Sequence, residues 1–106
     1  RNVYKECKGV PKSNCLTKEQ RLSLQMDEFM NRRYEFRYNT QIGEVEYRER
    51  FSFRFYFHPI DKRAQNSIML DAQSEGIGVW DRDIDRYLHS NRVPIYNPLE
   101  EFLFGS

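Results

Sequence analysis

The side chains of this chain best suited to chemistry on a partner are its arginines. Arg37, Arg48 and Arg54 stand in segments where polar and apolar residues alternate, while Arg82 and Arg86 lie one helical turn apart. A guanidinium presents a rigid fork of N–H donors that fits phosphate oxygens. A row of them on one sheet face, or along one helix side with His89, would follow a nucleic-acid backbone. Glu35, Glu44 and Glu46 dilute the first set, and Asp83 and Asp85 the second. Cross-strand and i,i+4 ion pairing on solvated faces is therefore the plainer account of the same residues.

Other chemistries have weaker carriers. Cys7 and Cys15 sit in a polar stretch with seven residues between them, a spacing that matches no common zinc motif. A short disulfide loop between them is conceivable, but with no secretory signal free thiols are the expectation. Asp81, Asp83 and Asp85 fall at a helix start, where the dipole and capping explain them without a metal. His58 precedes Pro59 at a strand end. There is no Gly-x-x-x-x-Gly-Lys-Ser/Thr loop and no Gly-x-Ser-x-Gly elbow. Neither an enzyme nor a cofactor is expected.

The elements that must position these groups belong to one small domain, since 106 residues hold one core and not two. A net charge of +1 leaves any nucleic-acid surface to be local, and 31% charged with 15% aromatic residues fits a globular chain. No apolar run approaches the roughly 20 residues of a membrane span, so a cytoplasmic setting is expected. Arg1 in place of a methionine and the Phe-Leu-Phe run ending at Phe104 suggest a piece of a longer protein. Residues 1–16, with Lys5, Lys8 and Lys12, read as a linker or basic arm, and residues 17–104 as the domain.

Thr17-Lys18-Glu19-Gln20 has the form of a capping box. Leu22, Met26, Phe29 and Met30 then mark one face of a helix from about Lys18 to Arg32. Tyr34, Phe36 and Tyr38, then Val45 and Tyr47, alternate with charged residues around a turn containing Asn39 and Gly43, which predicts a β-hairpin. Phe51, Phe53, Phe55 and Phe57 alternate with Ser52, Arg54 and Tyr56, which predicts a third strand with four rings on the buried face. At about 1.5–3 kcal/mol per ring, that row would supply roughly 6–12 kcal/mol gross. Glu49 breaks the parity and places a bulge or turn at Arg48 to Arg50.

Asp61 caps a helix expected to reach Glu75, with Ala64, Ile68, Met69 and Ala72 inward and Gly76 as its stop. A second helix starts near Asp81 with Trp80, Ile84, Tyr87 and Leu88 as its apolar face, and Pro94 closes it. Asn97-Pro98-Leu99-Glu100-Glu101 opens a short last helix. The fold class is thus α+β: an N-terminal helix, a three-stranded antiparallel meander, a pair resembling a helix-turn-helix, and a short C-terminal helix.

Tyr34-Glu35-Phe36-Arg37-Tyr38-Asn39, Gly43-Glu44-Val45-Glu46-Tyr47, Asn66-Ser67-Ile68, and above all Val93-Pro94-Ile95-Tyr96-Asn97-Pro98-Leu99-Glu100-Glu101-Phe102-Leu103 resemble a known pattern. It is the segment ahead of the ATPase core in virulence-associated E (VapE) family proteins, primase-helicase-like P-loop proteins of phages and mobile elements. The resemblance spans about Phe29 to Leu103. It reaches none of the Walker motifs, so no ATP-binding residue carries over. It implies a non-catalytic accessory domain that assists DNA binding, with Arg37, Arg48, Arg54, Arg82 and Arg86 as the candidate phosphate contacts. The alternative is a protein-interaction module that meets the ATPase domain or a neighbouring subunit, in a homo-oligomer of the parent, through Trp80, Tyr96, Phe102 and Phe104.

Overall fold

The structure, a computed structural model, describes Gly9 and residues 15–99. Its elements run α1 (Lys18–Arg33), β1 (Tyr34–Asn39), β2 (Glu44–Glu49), β3 (His58–Pro59), α2 (Lys62–Ser74), α3 (Asp81–Leu88) and β4 (Ile95–Tyr96). The sheet order is β3-β2-β1-β4, antiparallel through the first three and parallel between β1 and β4. The architecture is α+β as expected, with a mixed four-stranded sheet in place of a pure meander.

The capping box forms as the sequence predicts. The Gln20 N–H donates to Thr17 Oγ1 at 3.1 Å, and the Thr17 N–H donates to Gln20 Oε1 at 3.0 Å. One face of α1 then buries Met26, Phe29 and Met30, with Leu22 at the margin. No linker follows. Tyr34 is extended and its N–H still donates to the Met30 carbonyl, so the helix passes straight into β1. In the β1–β2 hairpin, Gly43 takes φ +69 and its N–H donates to the Asn39 carbonyl at 2.8 Å.

Asp61 caps α2 through the Ala64 N–H at 2.8 Å, and α2 buries Ile68, Met69 and Ala72. The helix ends in a Schellman arrangement: Ile77 N–H to Ala72 O, Gly76 N–H to Gln73 O, and Gly76 at φ +83. Ile77 and Val79 are buried in the short connection, and α3 adds Ile84, Tyr87 and Leu88. The Tyr87 ring meets Phe36 edge-on at 5.8 Å, which seats α3 on the sheet.

The predicted third strand is the main departure. Phe51, Phe53 and Phe55 are 87%, 96% and 87% exposed and lie in a loop between β2 and β3. Register explains this. His58 pairs with Tyr47, a residue on the core side of the sheet. That sets the adjacent Phe57 to the opposite parity, towards the charged face, because one residue of offset reverses a side chain, while Phe51, Phe53 and Phe55 stay in the loop and pair with no strand. The turn expected at Arg48 to Arg50 forms slightly later, at Arg50–Phe51, with Arg48 and Glu49 still in β2. Only Phe57 returns to the protein, and it covers that charged face rather than the core.

Three smaller departures follow from local geometry. Trp80 is the residue before the first turn of α3, in extended conformation, so its side chain is not carried on the helix's buried face and is 61% exposed. β4 was not foreseen, because two residues after a proline show no alternation; it is held by Tyr38 N–H to Pro94 O at 2.8 Å and Thr40 N–H to Tyr96 O at 3.1 Å. Cys15 is in a disulfide rather than a free thiol. Gly9 takes φ +82 in a turn, a conformation open to glycine without strain. Cys7 and the rest of the expected arm lie outside the described residues, as does the terminal helix beyond Pro98 and Leu99.

Burial therefore predicts opposite behaviour for two phenylalanines. Phe29→Ala, at a site 1% exposed, should cost about 3–5 kcal/mol of unfolding free energy. Phe53→Ala should change it by no more than about 0.5 kcal/mol. Urea denaturation of the two variants measures both; equal losses would contradict this partition of the aromatic residues.

Candidate nucleic-acid interface

The five candidate arginines divide into two groups. Arg37 and Arg48 are committed within the sheet, through the cross-strand pairs that register makes available, Arg37 with Glu46 and Glu35 with Arg48. Arg48 Nη2 donates to Glu35 Oε1 at 2.6 Å, and this bond, aided by Arg48 and Arg50 charge, holds the Glu35 carboxyl below its ordinary range. Arg37 Nε donates to Glu46 Oε1 at 2.9 Å. Its guanidinium lies 3.9 Å from both the Phe57 and the Tyr96 ring centroids. Asn39 Nδ2 adds a second donor to Glu46, and both Asn39 and Glu46 are buried. This face is a small covered polar core rather than an open cationic sheet.

Arg54, Arg82 and Arg86 are exposed and form no ion pair among the described residues. Arg82 and Arg86 line a cleft of about 640 Å³ between α1 and α3. Lys18 and Arg92 join them, Leu22 and Met26 lie among its apolar lining, and Trp80 stands at its edge. Two acids share the lining, Glu19 and Asp83. Asp83 is engaged at the start of α3, where its Oδ2 accepts the Trp80 N–H at 2.9 Å. Asp85 and His89 line a different groove, so His89 does not extend the Arg82–Arg86 row.

Arg92 anchors the cleft to α1. Its Nε lies 3.0 Å from Asp27 Oδ1 without an aligned hydrogen bond, and its Nη2 donates to Ser23 Oγ at 3.1 Å. Burial raises the Asp27 carboxyl above its ordinary value, and the Arg92 charge only partly opposes this. Among the described residues no three His, Cys, Asp or Glu side chains converge as a metal site would require. No helix among them is long and apolar enough to cross a membrane.

The structure thus brings together Trp80, Arg82 and Arg86 from the sequence reading and leaves Arg37 and Arg48 apart. Tyr96 is half-buried over Arg37, and Phe102 and Phe104 lie outside the described residues. Lys18 and Arg92 are the members that sequence reasoning missed as part of this site. They come from opposite ends of the domain, and no local spacing connects them. Comparison of the chain with protein-family models, curated proteins and solved structures finds no match.

The Asp27–Arg92 pair has a testable pH signature. A carboxyl that binds its proton more tightly when folded subtracts stability as pH rises from the unfolded value of 3.8 through the folded one. Asp27→Asn removes that loss. Between about pH 3 and about pH 6 the unfolding free energy of Asp27→Asn should therefore rise relative to the wild type. A relative fall in chemical denaturation at matched pH would mean that Arg92 outweighs burial.

Proposed function

We propose that this chain is a non-catalytic accessory domain that holds nucleic acid by its phosphates in the α1–α3 cleft. In this reading it serves a helicase-type motor of the kind the VapE resemblance implies, with DNA as the partner. One observation carries it: Arg82 and Arg86 are exposed, lack internal ion pairs among the described residues and face the same cleft as Lys18 and Trp80. Arg92 is paired to Asp27, but Lys18, Arg82 and Arg86 outnumber Glu19 and Asp83 and make a local positive site on a chain of net charge +1. The apolar lining holds the arginine stems while their heads stay in water. The exposed ring of Trp80 offers sugar or base contacts beside the phosphate forks.

The interaction-module reading has its own support. Ile95 is 72% exposed and Leu99 66% exposed, close to where β4 leaves the sheet. Apolar side chains there suit contact with an ATPase domain of the same chain or with a neighbouring subunit.

A salt titration separates the two. Binding to DNA should weaken with a log–log slope set by the number of phosphates neutralised, and Arg82→Ala with Arg86→Ala should lower that slope by about 2. Fluorescence anisotropy with a labelled oligonucleotide between about 50 mM and about 200 mM salt measures it. An unchanged slope would remove the cleft from the interface, and light scattering showing self-association without DNA affinity would favour the interaction module.

A further inference from the structure

The loop that failed to become a strand is the largest exposed apolar feature among the described residues. Phe51, Phe53 and Phe55 are each at least 87% exposed, and Tyr56 is 58% exposed. Exposing three phenyl rings forgoes the burial that normally stabilises a fold, and no contact within the described part of the chain accounts for it. The rings are interleaved with Arg54, whose guanidinium has no ion pair among the described residues. From Arg50 through Phe57 the sequence contains no acid.

The loop is also continuous with the basic cleft. A second cleft, of about 300 Å³, is lined by Arg50, Tyr87 and Arg92, and the last two also line the α1–α3 cleft. Arg50 directly precedes Phe51. Basic side chains therefore run from Arg82 and Arg86 to the aromatic loop by way of Arg92 and Arg50, the last two already paired with Asp27 and with Glu35, which shares the second cleft's lining.

We infer that the 51–56 loop is a stacking platform for single-stranded nucleic acid. The strand's phosphates would follow those basic side chains and its bases would lie on Phe53, Phe55 and Tyr56. Aromatic rings flanking the unpaired guanidinium of Arg54 suit a ligand that is anionic along its backbone and flat on its bases. A duplex hides those base faces, so the loop selects single strands. A second copy of this chain fits less well. The antiparallel pairing that sets ring against ring, Phe51 on Phe57 and Phe53 on Phe55, also sets Arg54 on Arg54, a like-charge contact that opposes it.

This inference rests on the proposed function, and the test keeps the two apart. Anisotropy is measured with a labelled oligothymidine of about 15 nucleotides and with a duplex of equal length, using the whole chain. Wild type should prefer the single strand. Phe53→Ala with Phe55→Ala should weaken single-strand binding by roughly tenfold or more, leave duplex binding and the circular dichroism spectrum unchanged, and be rescued by tryptophan at both positions. Unchanged single-strand affinity in that variant overturns the inference, while the cleft reading survives if Arg82→Ala with Arg86→Ala still weakens binding. No binding by wild type overturns both. Ring-dependent binding to phosphatidylserine vesicles without oligonucleotide binding assigns the loop to a membrane surface, and ring-dependent dimerisation without it assigns the loop to a second copy; either result overturns the inference.

Discussion

Tyr34 is the contact on which the arrangement turns. As the residue that ends α1 and begins β1, it carries helix and strand into one core without a linker. Its ring meets Phe29 at 5.9 Å, Phe36 at 5.7 Å and Tyr47 at 6.2 Å, while its hydroxyl donates to Asp71 Oδ2 at 3.2 Å. One side chain thereby joins α1, β1, β2 and α2. Burial and the nearby Asp71 charge push its phenol far above the ordinary value, so the ring stays neutral well into alkaline conditions. Arg32 and Arg33 reinforce the junction by pairing with Glu75 at the end of α2, Arg33 at 3.1 Å.

With that junction set, the two faces of the sheet do different work. The core face packs against three helices and holds the apolar residues. The other face holds Glu46, Arg37 and Asn39 beneath Phe57 and Tyr96. Phe57, just before β3, and Tyr96, in β4, thus cover a charge pair from opposite edges of the sheet, which explains why Glu46 is buried although it alternates with core residues. Breaking one partner of a buried pair leaves the other uncompensated, so Arg37 acts here as a structural residue. Arg82 and Arg86, which form no ion pair among the described residues, lie instead where α3 faces α1.

Much of the helical part was legible because each helix carries its own start and stop chemistry. The Thr17–Gln20 box, the Asp61 cap and Gly76 placed their ends within a residue or two, and spacing named the buried faces. The hairpin was legible from alternation around Gly43. The aromatic run was misread because alternation reports strand propensity, whereas which face a strand presents depends on register. That was set by the pairing of Tyr47 with His58, which no local pattern encodes. Trp80 was misplaced by assuming helical spacing one residue too early. The cleft was half legible: Trp80, Arg82 and Arg86 are near in sequence, but Lys18 and Arg92 join them only through tertiary folding.

The exposed aromatic loop also bears on how this protein behaves in concentrated solution. Seven residues of high strand propensity without proline are the kind of segment that nucleates intermolecular sheets. Within Phe51–Phe57 the sole formal charge is Arg54, which makes that guanidinium the gatekeeper against fibril formation. A ligand that covered the rings would also shield this segment from self-pairing, a task that otherwise falls to the repulsion between Arg54 side chains.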